Sequence, residues 1–171
     1  MNPDKAPGPD GFPICFYKAF WGVIKKDLTK MIKLIQRKGK ISGYTNATFL
    51  ALIPKENKPT TFARFRPISL CNSSYKILAK ILAARLNPLL PSLISNNQGG
   101  FMANRQITDS ILLVQEAIHS SLSRKKKGFI LKLDLANAFD RVRHSFLTVV
   151  LKKMGFEFPF ISLITACISG P

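Results

Sequence analysis

A short apolar segment that ends in an acidic residue constrains this chain more than any other feature of its sequence. Residues 129–134 combine an apolar run with a terminal Asp134, which is the pattern of a strand that ends at a carboxylate. Small residues follow, then the aromatic Phe139 and a second acid, Asp140, six positions after the first. A strand end holds a carboxylate rigidly, and carboxylate oxygens suit Mg²⁺ bound to a nucleoside triphosphate. The segment therefore predicts a strand that presents Asp134 to a metal and a nucleotide.

The net charge is the second strong constraint. The 171 residues include 26 Lys and Arg against 9 Asp and Glu, which gives a net charge of +17. The excess is spread through the chain, since Glu56 is the only acid between Asp27 and Asp109. Such a field attracts a polyanion, with nucleic acid the first candidate and a membrane surface the second. The alternative is that the basic residues only keep the protein soluble, although solubility normally uses both signs.

Composition places the chain in a broad class. The 46% of hydrophobic residues supports a sizeable core, and the length fits one domain or a large part of one. The three cysteines, Cys15, Cys71 and Cys167, lack zinc spacing and are expected to be buried reduced thiols. There is no signal peptide and no apolar run long enough to span a bilayer, so we expect a soluble intracellular protein without a membrane partner. The sequence does not separate nucleus from cytoplasm, and it leaves the oligomeric state open.

Hydrophobic periodicity predicts a mainly helical chain with a few strands. A helix is expected over 16–35, and a buried strand at 46–54 is expected to pair with one at 65–70 as a hairpin with a basic tip. Asn72, Ser73 and Ser74 are N-cap candidates for the next helix. Later helices are expected at about 78–89, 107–122, 143–154 and 159–168. The apolar stripes at 16–35, 78–89 and 107–122 are interpreted as core.

Two cations near the predicted hairpin extend the candidate site. Lys55 follows the first strand and Arg66 lies in the second, where an ammonium and a bidentate guanidinium suit phosphate groups. Phe139 lies five residues past Asp134, where its ring would face a sugar. Plainer alternatives are a solvated hairpin lysine at Lys55, a sheet-edge cap at Arg66 and a core aromatic at Phe139. Acid, cations and aromatic together suggest nucleotidyl transfer.

At this point the sequence resembles the reverse transcriptase domain of non-LTR (LINE-type) retrotransposons, particularly those of plants. Five blocks match in chain order and cover essentially the whole sequence. They are NPDKAPGPDGF at 2–12; LIPK at 52–55; FRPISL at 65–70 with Tyr75, Lys76, Ile77, Arg85 and Leu86; NQGGF at 97–101 with Arg105, Ile107, Asp109, Gln115 and Glu116; and LKLD at 131–134 with AFDRV at 138–142.

The resemblance implies an α+β fold, namely the fingers and an incomplete palm of a right-hand polymerase, with a fingers hairpin and a palm strand at 129–134. Residues 1–171 would form a single partial reverse transcriptase domain. About 1–125 would be the fingers and connecting helices, and about 126–171 the start of the palm. The implied activity is RNA-directed DNA synthesis on an RNA template from a DNA primer, with deoxynucleoside triphosphates and Mg²⁺ in a two-metal site.

The resemblance also implies roles for single residues. Asp134 would be the first metal-binding aspartate, with the Leu135 carbonyl as an additional ligand. Lys55 and Arg66 would grip the incoming triphosphate, and Phe139 would exclude a ribose 2′-hydroxyl. Four residues fall in a family block near the template path: Gln98, Gly99, Phe101 and Arg105.

The chain departs from the family pattern where catalysis is concerned. Asn137 stands where the family usually has lysine, and Ala103 and Asn104 stand where a glycine usually precedes the arginine. The family's aromatic-Ala-Asp-Asp tetrad has no counterpart, because no two Asp are adjacent in the sequence. Two-metal catalysis needs carboxylates on both metals, so we expect the chain alone to be inactive. The endonuclease region, the rest of the palm and the thumb are likewise expected to be absent.

Two other hypotheses about the function stay open from the sequence alone. One is a residual nucleic-acid-binding module, which needs only the basic surface. The other is a non-functional relic of a decayed element. Expression, template specificity and the origin of the truncation, biological or from a gene-model error, are not decided by the residues.

Overall fold

The chain combines helices with a small sheet and divides into two compact units. The computed structural model describes residues 1–102, 104–135 and 138–169, and of residues 139 and 140 it describes the backbone alone. The first unit comprises residues 1–82 and 143–169, and the second comprises residues 83–142.

Of the α-helices and β-strands among the described residues, seven lie wholly or mostly in the first unit and three lie in the second. Those of the first are α1 (Ile14–Ala19), α2 (Trp21–Lys38), β1 (Thr48–Pro54), β2 (Phe65–Cys71), α3 (Ser73–Leu86, whose last turn belongs to the second unit), α7 (His144–Lys153) and α8 (Phe158–Ile168). Those of the second are α4 (Leu90–Leu93), α5 (Ile107–Ser123) and α6 (Ala138–Arg141).

The helix predicted over 16–35 is two helices, α1 and α2, separated at Phe20. The backbone of Phe20 leaves the helical region, with φ −100° and ψ 20°. Its ring packs on Phe16 with 4.9 Å between ring centroids, and such aromatic packing stabilises the bend. Helix α2 ends at Gly39, whose left-handed φ of 62° lets its N–H reach the Ile35 carbonyl at 2.8 Å.

The predicted hairpin is confirmed. Strands β1 and β2 pair antiparallel, with Thr48 opposite Cys71 at one end and Pro54 opposite Phe65 at the other. The prediction that the first strand is buried was wrong, since Leu50 is 67% exposed. Burial of a strand requires a second layer over it, and the apolar composition of the strand does not encode that layer.

The core of the first unit forms where α2, α3 and α8 meet. It contains the buried side chains Ile35, Leu78, Leu82, Leu163 and Cys167. The Tyr75 hydroxyl donates a hydrogen bond to the Cys167 carbonyl at 2.6 Å. Burial raises the pKa of Tyr75 to about 12 and the pKa of the Cys167 thiol to about 11, so both are neutral at physiological pH. All three cysteines are free, but only Cys167 is buried, and the prediction of buried thiols was wrong for exposed Cys15 and partly exposed Cys71.

Buried Asn72 joins the N-terminal segment to the start of α3. Its Oδ1 accepts the Asp10 N–H at 3.0 Å, and its Nδ2 donates to the Tyr44 carbonyl at 2.8 Å. The adjacent Ser73 hydroxyl donates to the Phe12 carbonyl at 2.7 Å. A side chain at Gly8 would overlap the backbone at Asn72, so this approach requires glycine. Two of the three N-cap candidates, Asn72 and Ser73, therefore use their side chains to hold residues 8–12 in place.

The second unit keeps little of its apolar surface from water. The described residues of 129–135 form neither helix nor strand, so the strand predicted at 129–134 was wrong for this structure. A strand needs a partner for its backbone groups, and the sheet of the described residues contains only β1 and β2. The interpretation of the α5 stripe as core was also wrong, because α5 has no buried residue.

Within the described residues, no helix is both long and apolar enough to cross a bilayer.

Replacing Asn72 by Ala tests the anchor that it forms. The change leaves the Asp10 N–H and the Tyr44 carbonyl without their partner in a partly buried place, so the free energy of unfolding should fall by about 1–3 kcal/mol. Chemical denaturation followed by circular dichroism measures the difference. The matched control is Asn57→Ala at the exposed hairpin tip, which should change stability by less than about 0.5 kcal/mol. Equal effects of the two substitutions would contradict the anchor.

Candidate nucleotide and nucleic-acid site

The hairpin brings the two predicted triphosphate cations onto one small element. Lys55 comes directly after β1, and its backbone N–H donates to the Arg64 carbonyl at 2.8 Å. Arg66 is the second residue of β2 and pairs with Ile53 across the sheet. Both cations therefore lie near the tip end of the hairpin, on adjacent strands.

Contacts distinguish these two cations. The Lys55 ammonium donates to the Ala63 carbonyl at 2.9 Å, which closes the tip and leaves two of its three hydrogens for other acceptors. An ion pair between Arg64 and Glu56 at 2.7 Å spans the same tip. The guanidinium of Arg66 is exposed and has no hydrogen-bond or ion-pair partner among the described residues. Arg66 is thus the cation of the pair that is open to an anionic ligand.

A loop in the second unit brings together the four residues of the predicted template block. Arg105 is half-buried, and its guanidinium donates to the Ser95 carbonyl at 2.7 Å and the Gln98 carbonyl at 2.6 Å. It also reaches the Asn96 side-chain oxygen at 3.2 Å and the Ile94 carbonyl at 3.5 Å. Arg105 therefore holds the loop 94–98 through hydrogen bonds within the protein.

The other three residues of the predicted template block, Gln98, Gly99 and Phe101, differ in their surroundings. Gln98 is exposed, and its contact with Arg105 uses the backbone. Gly99 approaches α5 closely, because a Cβ built on it would lie 3.2 Å from the Ser110 hydroxyl. Phe101 is fully exposed and has a left-handed φ of 60°. The loop thus presents a polar side chain and an aromatic ring, with Arg105 beneath them as a clamp.

The predicted metal ligands lie on the exposed segment that precedes α6. Asp134 is exposed, and none of the described cations lies within 4.0 Å of its carboxylate. Its oxygens and the Leu135 carbonyl have the hard-donor chemistry that Mg²⁺ prefers. The described residues contain no group of three His, Cys, Asp or Glu placed to hold a metal ion. Asp134 and the Leu135 carbonyl thus supply two donors of the kind that Mg²⁺ prefers.

Phe139 and its neighbours are described only in part. The backbone of Phe139 belongs to the four-residue helix α6, which follows Asp134 by a short interval. The side chains of Phe139 and Asp140, and the departures at Asn137 and Ala103, lie outside the described residues. The role of Phe139 as a sugar-excluding aromatic stays a prediction.

Sequence reasoning missed the residues that position the hairpin. Asn72, Ser73 and Lys76 all bond to residues 6–12, with the Lys76 ammonium donating to the Ala6 carbonyl at 2.8 Å. The available signals were the N-cap composition at 72–74 and the Pro- and Gly-rich segment before residue 13. Neither signal shows that the two segments bond to each other, because they are about sixty residues apart in the chain.

Comparison with known proteins identifies the family. The family described as "Reverse transcriptase (RNA-dependent DNA polymerase)" matches residues 53–169, more than half of the chain. The chain therefore belongs to the reverse transcriptase family.

Its relatives include proteins of non-LTR retrotransposons. The chain is 30% identical over 164 residues to the uncharacterized 149 kDa protein of transposon TX1 from Xenopus laevis, covering 96% of this chain and 12% of that protein. It is 27% identical over 170 residues to the probable RNA-directed DNA polymerase from transposon X-element of Drosophila melanogaster, covering 98% and 19%. For the Pol polyprotein of the R2 element from Popillia japonica the identity is 26%, with coverage of 96% and 22%. The chain thus spans less than a quarter of the length of these relatives. The resemblance to a non-LTR reverse transcriptase domain is confirmed, and its plant origin stays a prediction.

Replacing Arg105 by Lys tests the loop clamp. A lysine keeps the charge but cannot form the forked contacts with the loop carbonyls. Each lost charge-assisted bond is worth about 1.5–3 kcal/mol, so amide hydrogen exchange across 94–102 should accelerate roughly tenfold or more. Exposed Arg85→Lys in α3 is the matched control and should leave exchange in that loop unchanged. Identical exchange in Arg105→Lys and the unmodified chain would show that the loop does not depend on the clamp.

Proposed function

We propose that this domain serves RNA-directed DNA synthesis, with an RNA template, a DNA primer and deoxynucleoside triphosphates as partners. One observation carries the proposal: an antiparallel hairpin, whose tip and second strand lie in the region that matches the reverse transcriptase family, carries Arg66 and Lys55 near its tip. Paired cations on a rigid two-stranded element suit the phosphates of a nucleotide.

In this proposal Arg66 makes the main contact with the triphosphate. Its guanidinium is exposed and its planar fork matches two phosphate oxygens at once. The Lys55 ammonium adds a second positive charge. The two hydrogens that do not bond to the Ala63 carbonyl can donate to phosphate oxygens. The hairpin would then be part of the fingers of a right-hand polymerase, and residues from about 126 onward would begin the palm.

Asp134 and the Leu135 carbonyl are proposed as ligands of a divalent metal in the assembled polymerase. The donor type supports this role, and the exposure of Asp134 leaves its carboxylate accessible. Further carboxylates are needed, since the described residues do not complete a site. The 171-residue chain is accordingly proposed to be inactive in primer extension by itself.

Phe139 is proposed to select deoxynucleotides over ribonucleotides. It lies five residues past Asp134, on the helix α6 that follows the metal-binding segment. A ring beside the sugar would exclude a 2′-hydroxyl by its volume.

A second candidate function is binding of nucleic acid without catalysis. The observation that favours it is the near absence of charge neutralisation: among the described residues, Arg64 is the one cation within 4.0 Å of an acidic side chain. The net charge of +17 provides the attraction for a polyanion.

Salt dependence tests the nucleic-acid partner. If about five phosphates are neutralised, the log–log slope of affinity against salt should be roughly −3.5 on single strands and −4.5 on duplex DNA. Fluorescence anisotropy with labelled oligonucleotides at several salt concentrations measures it. Affinity that stays flat from low to high salt would contradict the electrostatic basis of binding.

Substitutions at Asp134 and Phe139 test the polymerase function. In a polymerase that contains this domain and a complete set of palm carboxylates, Asp134→Ala should abolish primer extension with both kinds of nucleotide. Phe139→Val should instead raise the use of ribonucleotides relative to deoxynucleotides by about a hundredfold, since each 1.36 kcal/mol is a factor of about ten.

The melting temperature separates this role of Phe139 from simple packing. If Phe139 only packs in the core, Phe139→Val should lower stability by about 1–3 kcal/mol and leave the substrate ratio unchanged. An unchanged ratio with a lowered melting temperature would refute the sugar-excluding role. Extension that persists in Asp134→Ala would refute the metal-binding role.

A further inference from the structure

We propose that Phe101 is a stacking platform for an unpaired nucleobase of a bound RNA or DNA strand. This inference rests on the proposed function, because it requires that the domain bind nucleic acid. It assigns a specific contact to a residue that the sequence places only in a block near the template.

The exposure of Phe101 is the first observation. Its relative exposure is 105%, the highest value among the exposed large hydrophobic residues of the described chain. Its neighbour Met102 is only 8% exposed, so the loop buries one of two adjacent apolar side chains and leaves the larger ring in water. Exposing a whole aromatic ring is unfavourable by the free energy of its hydrophobic transfer. A partner that covers the ring recovers this free energy.

The backbone that presents the ring is the second observation. Phe101 has φ 60°, a left-handed conformation that is rare for a bulky residue and costs about 1–3 kcal/mol. An unfavourable conformation persists only where surrounding contacts hold it. Those contacts exist on both sides: Met102 is buried, and Arg105 grips the Ser95 and Gln98 carbonyls. The ring is therefore held outward by a fixed loop.

Charge identifies the partner. A protein surface would also cover an apolar ring, but a chain with net charge +17 and few neutralised cations attracts an anionic strand first. Aromatic rings on a basic protein bind single strands by stacking on bases, and they do so with little sequence preference. A duplex keeps its bases stacked on each other and offers the ring no face. Phe101 should therefore favour unpaired strands.

The test measures binding of the 171-residue chain to a single-stranded oligonucleotide that contains 2-aminopurine. Phe101→Ala should weaken binding roughly fivefold to a hundredfold, because stacking contributes about that factor per base. The log–log salt slope should stay the same, since the ring neutralises no phosphate. Quenching of 2-aminopurine fluorescence should be lost in Phe101→Ala and retained in Phe101→Trp. Phe158→Ala, which removes another exposed ring in the first unit, is the matched control and should bind as the unmodified chain does.

The possible outcomes separate the inference from the function on which it rests. Binding of equal strength in Phe101→Ala and the unmodified chain would overturn the stacking role and leave nucleic-acid binding intact. Weakened binding together with a lowered melting temperature in Phe101→Ala, without rescue by Phe101→Trp, would overturn it in favour of packing within the protein. Failure of the unmodified chain to bind either single strands or duplex would overturn the proposed function itself.

Discussion

The buried amide of Asn72 is the interaction on which the first unit depends. It accepts from the Asp10 backbone and donates to the Tyr44 carbonyl, and so it ties three separate stretches of chain together at the end of β2. Strand β2 carries Arg66, and Asn72 follows the last residue of this strand directly. A buried polar side chain that satisfies two backbone groups gives a unique geometry, because any shift leaves a group unpaired. The strand that carries the candidate triphosphate cation is thus anchored at its far end by these two hydrogen bonds.

Much of the secondary structure was predictable because local patterns determine it. The periodicity of α5 and the pairing of β1 with β2 follow from residue spacing and turn composition. Burial was not predictable, because it depends on which surfaces meet. The apolar stripe of α5 has the spacing of a core helix, yet the described residues leave it exposed. The segment 129–135 has the composition of a strand, yet no described strand pairs with it.

The candidate site was predictable in its residues and less so in their roles. Arg66 and Arg105 are the same residue type and both lie in blocks that resemble the family. They differ in their hydrogen-bond partners. The guanidinium of Arg105 donates to carbonyls of its own loop, whereas Arg66 is exposed. No sequence pattern distinguishes a guanidinium bonded to the protein from an open one, because most acceptors of Arg105 are backbone carbonyls, which every residue has.

In the proposed binding of nucleic acid, the binding free energy would have two sources, namely the exposed cations and the aromatic ring that the Arg105 loop presents. Exposed cations act on any polyanion and weaken as salt rises, so they supply affinity without regard to strand type. A ring held outward acts only on a base whose face is free, and salt affects it little. In the second unit the clamp and the ring belong to one loop, with Arg105 fixing what Phe101 presents. In the proposed stacking role of Phe101, preference for unpaired strands would then depend on Arg105 as well, through its hydrogen bonds to the Ser95 and Gln98 carbonyls.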